Sequence, residues 1–324
     1  MVYFVSVYFT FISFVSAQSL AAPTLEMCSE IKFIEPTAEA LELSRRNVTE
    51  NVVDLAQLEV RLSRSEISNE EAYFWGLRLI QESKSKNHNF AVRLLSFAAE
   101  NGSLSALGLL GSLILNSGER TEYAISLLKC AADKGSVSAT AQLGSYFVMS
   151  SEEDQSTAIR YLEKASEHGV SLSMQQLASK LIEGKVAARN IQRATQLYKD
   201  AGDLGLLNSR FLYARIKELQ SVTKNDLDEV YRYYQRSSDN HWRIGAVEAA
   251  RVLYESGAHS KAIIVLNEEA LREGEGAIHA KRLLTEIKGK SKNLTRWEGW
   301  PQLKHIRDAI PGDNNNKSSP RRYD

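Results

Sequence analysis

Proline is scarce in this chain of 324 residues, and none of its five prolines lies between Pro36 and Pro301. A proline inside a helix removes one backbone hydrogen bond and clashes with the preceding turn. A stretch this long without proline therefore favours a continuous series of helices.

Neither sign of charge is in excess, because 40 lysine and arginine residues balance 40 aspartate and glutamate residues. The strong basic field that attracts nucleic acid is missing. We therefore predict no nucleic-acid partner, and we interpret the local surplus of positive charge after Lys281 as a solvated tail.

Catalytic and metal-binding motifs are also missing. The sequence has no His-Glu-x-x-His, no Gly-x-Ser-x-Gly, no glycine-rich phosphate loop and no Cys-x-x-Cys. Its histidines are far apart, and the acidic run Glu152-Glu153-Asp154 is typical of a solvated helix start. The sequence thus predicts a protein that is not an enzyme and that binds neither a cofactor nor a metal ion.

Only two cysteines occur, Cys28 and Cys130. This number excludes the disulfide framework of a small secreted domain. A single bridge between them and two separate free thiols both remain open.

Lysine and arginine are missing before Lys32, although the first 17 residues are as apolar as a signal peptide. Small residues at Val15-Ser16-Ala17 predict cleavage after Ala17, and hence a periplasmic or secreted protein. The apolar run is shorter than the roughly 20 residues that span a membrane. A retained anchor is the alternative.

The chain does contain a repeated sequence motif. Ala98-Ala99-Glu100-Asn101-Gly102 is followed by Ala106 and by Leu110-Gly111, and the same motif recurs later in the sequence. The last small residue of each copy lies at intervals of 33, 34, 36 and 36 residues, at Gly111, Gly144, Ala178, Ala214 and Ala250. Self-similarity at this period predicts a solenoid of helix pairs.

Each repeat is predicted to contain a helix A with two small residues and a helix B with large apolar residues. Small side chains let neighbouring helices approach closely. Helix B then ends at a glycine, which tolerates the left-handed conformation of such a stop. These glycines are Gly102, Gly135, Gly169 and Gly205.

The ends of the repeat series set the predicted domain boundaries. A helix over Glu275–Lys288 has Arg282 at a small position, which is typical of a terminal cap, and we expect Trp297 to Pro301 to fold back onto the end of the stack. The predicted segments are a signal peptide (1–17), an N-terminal helical cap (18–67), the solenoid (68–274), a C-terminal capping helix with a tryptophan-containing segment (275–310) and a disordered tail (311–324).

The pattern resembles the Sel-one-like repeat family, which is related to tetratricopeptide repeats. The residues that carry the resemblance are Ala106-x-x-x-Leu110-Gly111, Ala124 to Ala131-Ala132-x-x-Gly135, and Gly184-Lys185-Val186. It implies an all-α fold, a right-handed superhelix of about six helix-turn-helix repeats with helical caps. It also implies a protein that holds other proteins together. Exported bacterial members work in envelope assembly, exopolysaccharide export, motility and sensor control, and a eukaryotic branch works in the endoplasmic reticulum lumen.

We therefore predict a non-catalytic, exported repeat scaffold or regulator that binds other proteins. One alternative is an adaptor in the lumen of a eukaryotic endoplasmic reticulum, which a glycan at Asn101 would favour. Another is an accessory subunit of an enzyme, without a recognisable active site of its own. The oligomeric state stays open.

Related solenoids bind partners along a concave face lined by A helices. Carrying this geometry over predicts a protein-binding groove formed by Tyr73, Gln175, Phe211, Arg215, Arg251 and Tyr254. Two arginines on equivalent positions of neighbouring A helices would suit an acidic, extended segment of a partner. We expect alanine at both arginines to abolish partner capture without changing helicity or melting.

Overall fold

The computed structural model describes residues 54–82, 87–118, 120–150, 152–221, 224–239, 242–291 and 294–310, together with seven positions between 28 and 48. The predicted signal peptide (1–17) and tail (311–324) lie outside the described residues.

Helices are the regular elements of the described residues. In chain order they are α1 Leu55–Ser63, α2 Asn69–Gln81, α3 His88–Glu100, α4 Leu104–Ser117, α5 Thr121–Asp133, α6 Val137–Val148, α7 Glu152–Glu167, α8 Ser171–Glu183, α9 Ile191–Asp203, α10 Leu207–Gln220, α11 Lys224–Arg236, α12 Ile244–Glu255, α13 His259–Ala270, α14 Glu275–Lys288 and α15 Pro301–Ala309.

The chain forms two compact units, residues 1–146 and 147–324. In the first unit, α2 packs on α3, α3 on α4 and α4 on α5. In the second unit, each helix from α7 to α13 packs on the next one in the chain. This sequential packing confirms the predicted all-α solenoid fold, although the boundary between the units falls inside the predicted solenoid.

The B helices end as the glycines predicted. Gly102, Gly135, Gly169 and Gly205 have φ values of 96°, 98°, 78° and 104°. In each case the amide after the glycine donates to a carbonyl five residues earlier, as from Ser103 to Ala98 over 2.8 Å. This is the hydrogen bond of a Schellman motif, which satisfies a carbonyl at the end of the helix.

Glycines of the A helices lie against leucines of the following B helix. A Cβ atom at Gly76 would lie 2.8 Å from Cγ of Leu95, and one at Gly111 would lie 2.9 Å from Cγ of Leu128. Both distances are too short for carbon atoms in contact, so only glycine permits this separation of the helices.

A disulfide bond joins Cys28 to Cys130 in the first unit, with their Cα atoms 6.0 Å apart. Of the two alternatives that the sequence left open, the structure therefore has the bridge. It ties the chain before α1 to helix α5.

The chain after α14 folds back onto the last helix of the stack, as predicted, and then continues beyond it. Residues 294–300 form no helix, the indole of Trp297 donates to Glu275 of α14, and α15 packs on α8 and α10. We call residues 294–310 the C-terminal segment. Its buried residues Leu303 and Ile306 belong to the same hydrophobic core as Phe211 of α10.

Candidate functional site

The six residues of the predicted groove divide into two groups. Phe211, Arg215 and Arg251 have exposed fractions of 0%, 1% and 0%, whereas the side chains of Tyr73, Gln175 and Tyr254 are half-buried. The prediction that Arg215 and Arg251 line an open groove is therefore wrong. Their guanidinium groups are satisfied inside the protein.

Two A helices of the second unit bring charged side chains of both signs to one face. Helix α10 carries Arg215 and Glu218, and helix α12 carries Glu248, Arg251 and Glu255. Spacings of three and four residues put side chains on the same side of a helix. The two faces meet, because equivalent helices of consecutive repeats are neighbours.

Arg215 and Arg251 each bond to carboxylates of both helices or of the C-terminal segment. Arg215 Nη2 donates to Glu248 Oε2 over 2.8 Å, and its Nη1 donates to Glu298 Oε1 over 2.9 Å. Arg251 donates from Nη2 to Glu218 Oε1 over 2.8 Å and from Nε to Glu248 Oε2 over 3.0 Å. Each arginine thus joins opposite charges one repeat apart.

Two further side chains extend this network. Arg215 Nε donates to the hydroxyl of Tyr234 over 2.7 Å, and that hydroxyl donates to Glu218 Oε2 over 2.7 Å. His279 of α14 contacts Glu248, with 2.8 Å between Nε2 and Oε1. The network therefore runs from α10 through α12 to α14. We call Arg215, Glu218, Tyr234, Glu248, Arg251 and His279 the buried ionic network.

The network keeps its carboxylates ionised. Burial acts to raise the pKa of Glu248, but Arg251, Arg215 and His279 outweigh it and lower the pKa from 4.5 to about 2. The pKa of Glu218 is also lowered. Burial acts to raise it, but Arg251, Arg296 and Arg215 outweigh burial and hold the pKa well below its ordinary value.

An aromatic cluster lies beside the network. The ring centroid of Phe211 lies 5.0 Å from that of Tyr234, 5.3 Å from that of Trp242, 5.6 Å from that of Trp297 and 5.3 Å from that of Trp300. These edge-to-face contacts place two tryptophans of the C-terminal segment against an A helix. Phe211 is thus a packing residue of this cluster.

The remaining predicted residues lie apart from the network. The ring of Tyr73 contacts Phe74, and burial raises the pKa of Tyr73. Gln175 Oε1 accepts a hydrogen bond from Ser209 Oγ of the next repeat over 3.3 Å. Tyr254 lies 4.5 Å from the ring of His259, between centroids.

The sequence prediction missed the glutamates and the contacts of the C-terminal segment with α12 and α10. A usable signal was present for the glutamates, because Glu218 follows Arg215 by three residues and Glu248 precedes Arg251 by three. The arginine and the glutamate occur in opposite order in the two consecutive repeats, so each arginine faces a glutamate of the neighbouring repeat. No local sequence pattern predicts which helices the C-terminal segment contacts.

A cavity of about 440 Å³ lies between α9 and α10, lined by residues that include Tyr213, Lys199, Lys217 and Gln196. The hydroxyl of Tyr213 donates to Glu229 over 2.7 Å. In the described ranges no group of histidine, cysteine and acidic side chains could hold a metal ion. Nor does the described part of the chain include a helix with the length and apolar character to span a bilayer.

Comparison with known proteins gives a matching family model and several similar solved structures. The Sel1 repeat matches four stretches, residues 68–103, 106–136, 137–170 and 172–206. A solved Sel1 repeat protein from Oxalobacter formigenes is 16% identical, with a TM-score of 0.52 over 74% of this chain and 92% of that one. No curated protein matches significantly.

A second solved structure is c5321, a protective antigen present in uropathogenic Escherichia coli strains and displaying an SLR fold. It is 18% identical, with a TM-score of 0.40, and the match covers 82% of this chain and 68% of that one. The Oxalobacter protein shares the fold with this chain. Together with the sequential packing of the helices, the four matched stretches show that residues 68–206 of this chain form Sel1 repeats.

Proposed function

We propose that this protein is a non-catalytic, exported scaffold or regulator that binds other proteins. The observation that carries the proposal is the uninterrupted series of Sel1 repeats, because stacked helix pairs form extended surfaces suited to protein partners. Bacterial envelope assembly, exopolysaccharide export and sensor control are the processes in which we place it.

The disulfide bond supports export. A bridge between Cys28 and Cys130 persists in oxidising compartments and is rare in the cytosol. It agrees with the apolar start of the sequence, Met1 to Ala17, which we propose is removed. Mass spectrometry of the purified native protein should find Gln18 as its first residue. An intact start on a membrane-bound chain would instead favour an anchor.

A lumenal adaptor of a eukaryote is the second candidate, since the same bond would form there. Asn101 of the sequon Asn101-Gly102-Ser103 is exposed at the turn between α3 and α4. A glycan on Asn101 of the native protein would favour this candidate over a bacterial one. An accessory role in an enzyme complex would show as catalytic activity that copurifies with the partner and not with this chain.

Binding is tested by site-specific photocrosslinking in cells. A crosslinking amino acid replaces Tyr73, Gln175 or Tyr254 of the A helices, one at a time. Matched controls replace Arg193 and Gln196, which are exposed on the B helix α9. We expect one protein to be crosslinked repeatedly from the A-helix positions and not from α9. Crosslinks from α9 alone would place the binding surface on the other face, and an absence of crosslinks at all positions would contradict a scaffold role.

A further inference from the structure

The C-terminal segment runs back across the A helices of the second unit. The amide of Thr295 donates to Glu286 of α14 over 2.8 Å, and the backbone of Trp297 bonds to side chains of α12 and α10. Helix α15 then packs against α8 and α10. Helices α8, α10, α12 and α14 are A helices by their small residues. The segment therefore lies on the surface that the sequence predicted as a groove.

The segment is bound as a peptide ligand would be, through its backbone and through consecutive side chains. The amide of Trp297 donates to Glu248 Oε1 over 3.2 Å, and its carbonyl accepts from Arg215 Nη2 over 3.1 Å. The indole Nε1 of Trp297 donates to Glu275 over 3.1 Å. Two of these bonds use the backbone of Trp297, and the third requires its indole.

The flanking charges are complementary to the surface. Arg296 Nε donates to Glu218 Oε1 over 2.7 Å, and Glu298 accepts from Arg215 over 2.9 Å. Along the segment, the cation Arg296 thus contacts a hydrogen-bond acceptor, the ring of Trp297 contacts the aromatic cluster, and the anion Glu298 contacts a hydrogen-bond donor. Buried charges need such partners, so the network is built to receive this order of side chains.

Burial is graded from the centre of the contact to its edge. Trp297 is 7% exposed, whereas the side chains of Arg296 and Glu298 are 25% and 38% exposed. A buried tryptophan inside a polar rim is the usual anatomy of a protein-binding hot spot.

We infer that this A-helix face of the second unit is a peptide-binding surface, and that the C-terminal segment is its resident competitor. The ligand is an extended segment of a partner protein in which a tryptophan has a basic residue before it and an acidic residue after it. This inference rests on the proposed role in protein binding and names one of its sites.

The test uses the full chain with a protease site inserted between Lys292 and Asn293, cleaved after folding. A fluorescent peptide of residues 294–310 is then added and followed by anisotropy. We expect it to exchange into the cleaved protein and not into the uncleaved one, where the tethered segment competes. The Trp297→Ala peptide should bind about 30-fold more weakly. The Lys304→Ala peptide is the matched control, because Lys304 is exposed, and its affinity should not change.

Three outcomes would overturn the inference. The labelled peptide fails to exchange, or release of the segment removes the helical signal of the second unit, and either result makes the segment an integral part of the fold. Alternatively, the uncleaved chain dimerises through exchanged segments, and the occupant is then a second copy. If photocrosslinking still captures a partner in any of these cases, the proposed function stands without this site.

Discussion

Arg251 shows at the scale of one residue why an arginine on an A helix need not be a binding residue. Its side chain is fully buried and donates to Glu218, Glu248 and Glu255. Removing one partner from a buried ion pair leaves an uncompensated charge in a medium that solvates it poorly. Arg215 is equally buried but also contacts the C-terminal segment, so alanine at Arg215 changes stability as well as binding.

We predict that Arg251→Met lowers the free energy of unfolding by about 3–5 kcal/mol. Urea unfolding followed by circular dichroism measures this change. Arg193→Met is the matched control, because Arg193 pairs with Glu163 on the surface, with side chains 48% and 38% exposed. That pair is worth less than about 1 kcal/mol. Similar losses in both variants would contradict the burial of the network.

The pKa of Glu248 predicts how the stability of the protein changes at acid pH. Its folded value of about 2 lies below the ordinary 4.5, so its stabilising effect is complete above about pH 4.5 and is lost as the pH falls towards 2. We expect the wild-type protein to lose about 3 kcal/mol more over this range than Glu248→Gln, which has no charge to lose. Urea unfolding at several pH values measures both curves. Parallel curves would show that Glu248 is not held ionised by the arginines.

At the scale of the helix, two glycines of α4 separate helix propensity from packing. A Cβ atom at Gly111 would lie 2.9 Å from Cγ of Leu128, whereas one at Gly108 would lie 3.4 Å from Oγ of Ser136. Gly111→Ala should therefore destabilise the protein by about 1–3 kcal/mol. Gly108→Ala should be neutral or stabilise it by up to about 1 kcal/mol, because alanine favours helix. Thermal unfolding of the two variants compares them, and equal shifts would mean that the helix faces are assigned wrongly.

Capping at the start of α2 shows what a local sequence pattern predicts and what it does not. The sequence Ser68-Asn69-Glu70-Glu71 has the form of a capping box, in which both ends bond reciprocally. The hydroxyl of Ser68 does accept from the amide of Glu71 over 3.2 Å. The Glu71 carboxylate instead pairs with Arg61 of α1 over 2.7 Å. The local pattern thus indicates the N-cap at Ser68, while the ionic partner of Glu71 depends on the neighbouring helix.

At the scale of the whole molecule, the bond between Cys28 and Cys130 joins residues 102 positions apart. A cross-link over so long a loop restricts the unfolded chain more than the folded one. We expect reduction to lower the unfolding free energy of the first unit by about 2–5 kcal/mol. Hydrogen exchange of helices α4 and α5, with and without reductant, measures the change. The double variant Cys28→Ser, Cys130→Ser should not respond to reductant; a response there would assign the effect to another cause.

The solenoid was determined by the sequence itself. Small residues such as Gly111, and stops such as Gly135, recur at the repeat period, and each acts within its own helix or on the next one. Contacts of that range are encoded locally, so periodicity and residue size suffice to predict them. The helix over Glu275–Lys288 was found at its predicted bounds for the same reason.

Only the tertiary structure decided what the A helices of the second unit face. Whether Arg215 contacts water or protein depends on Glu298, which is 83 residues further along the chain, and on the course of the residues 294–300 around it. A charged residue on a helix has the same local pattern in either case. Its burial follows from a contact between distant segments, and no periodic signal in the sequence records where the C-terminal segment lies.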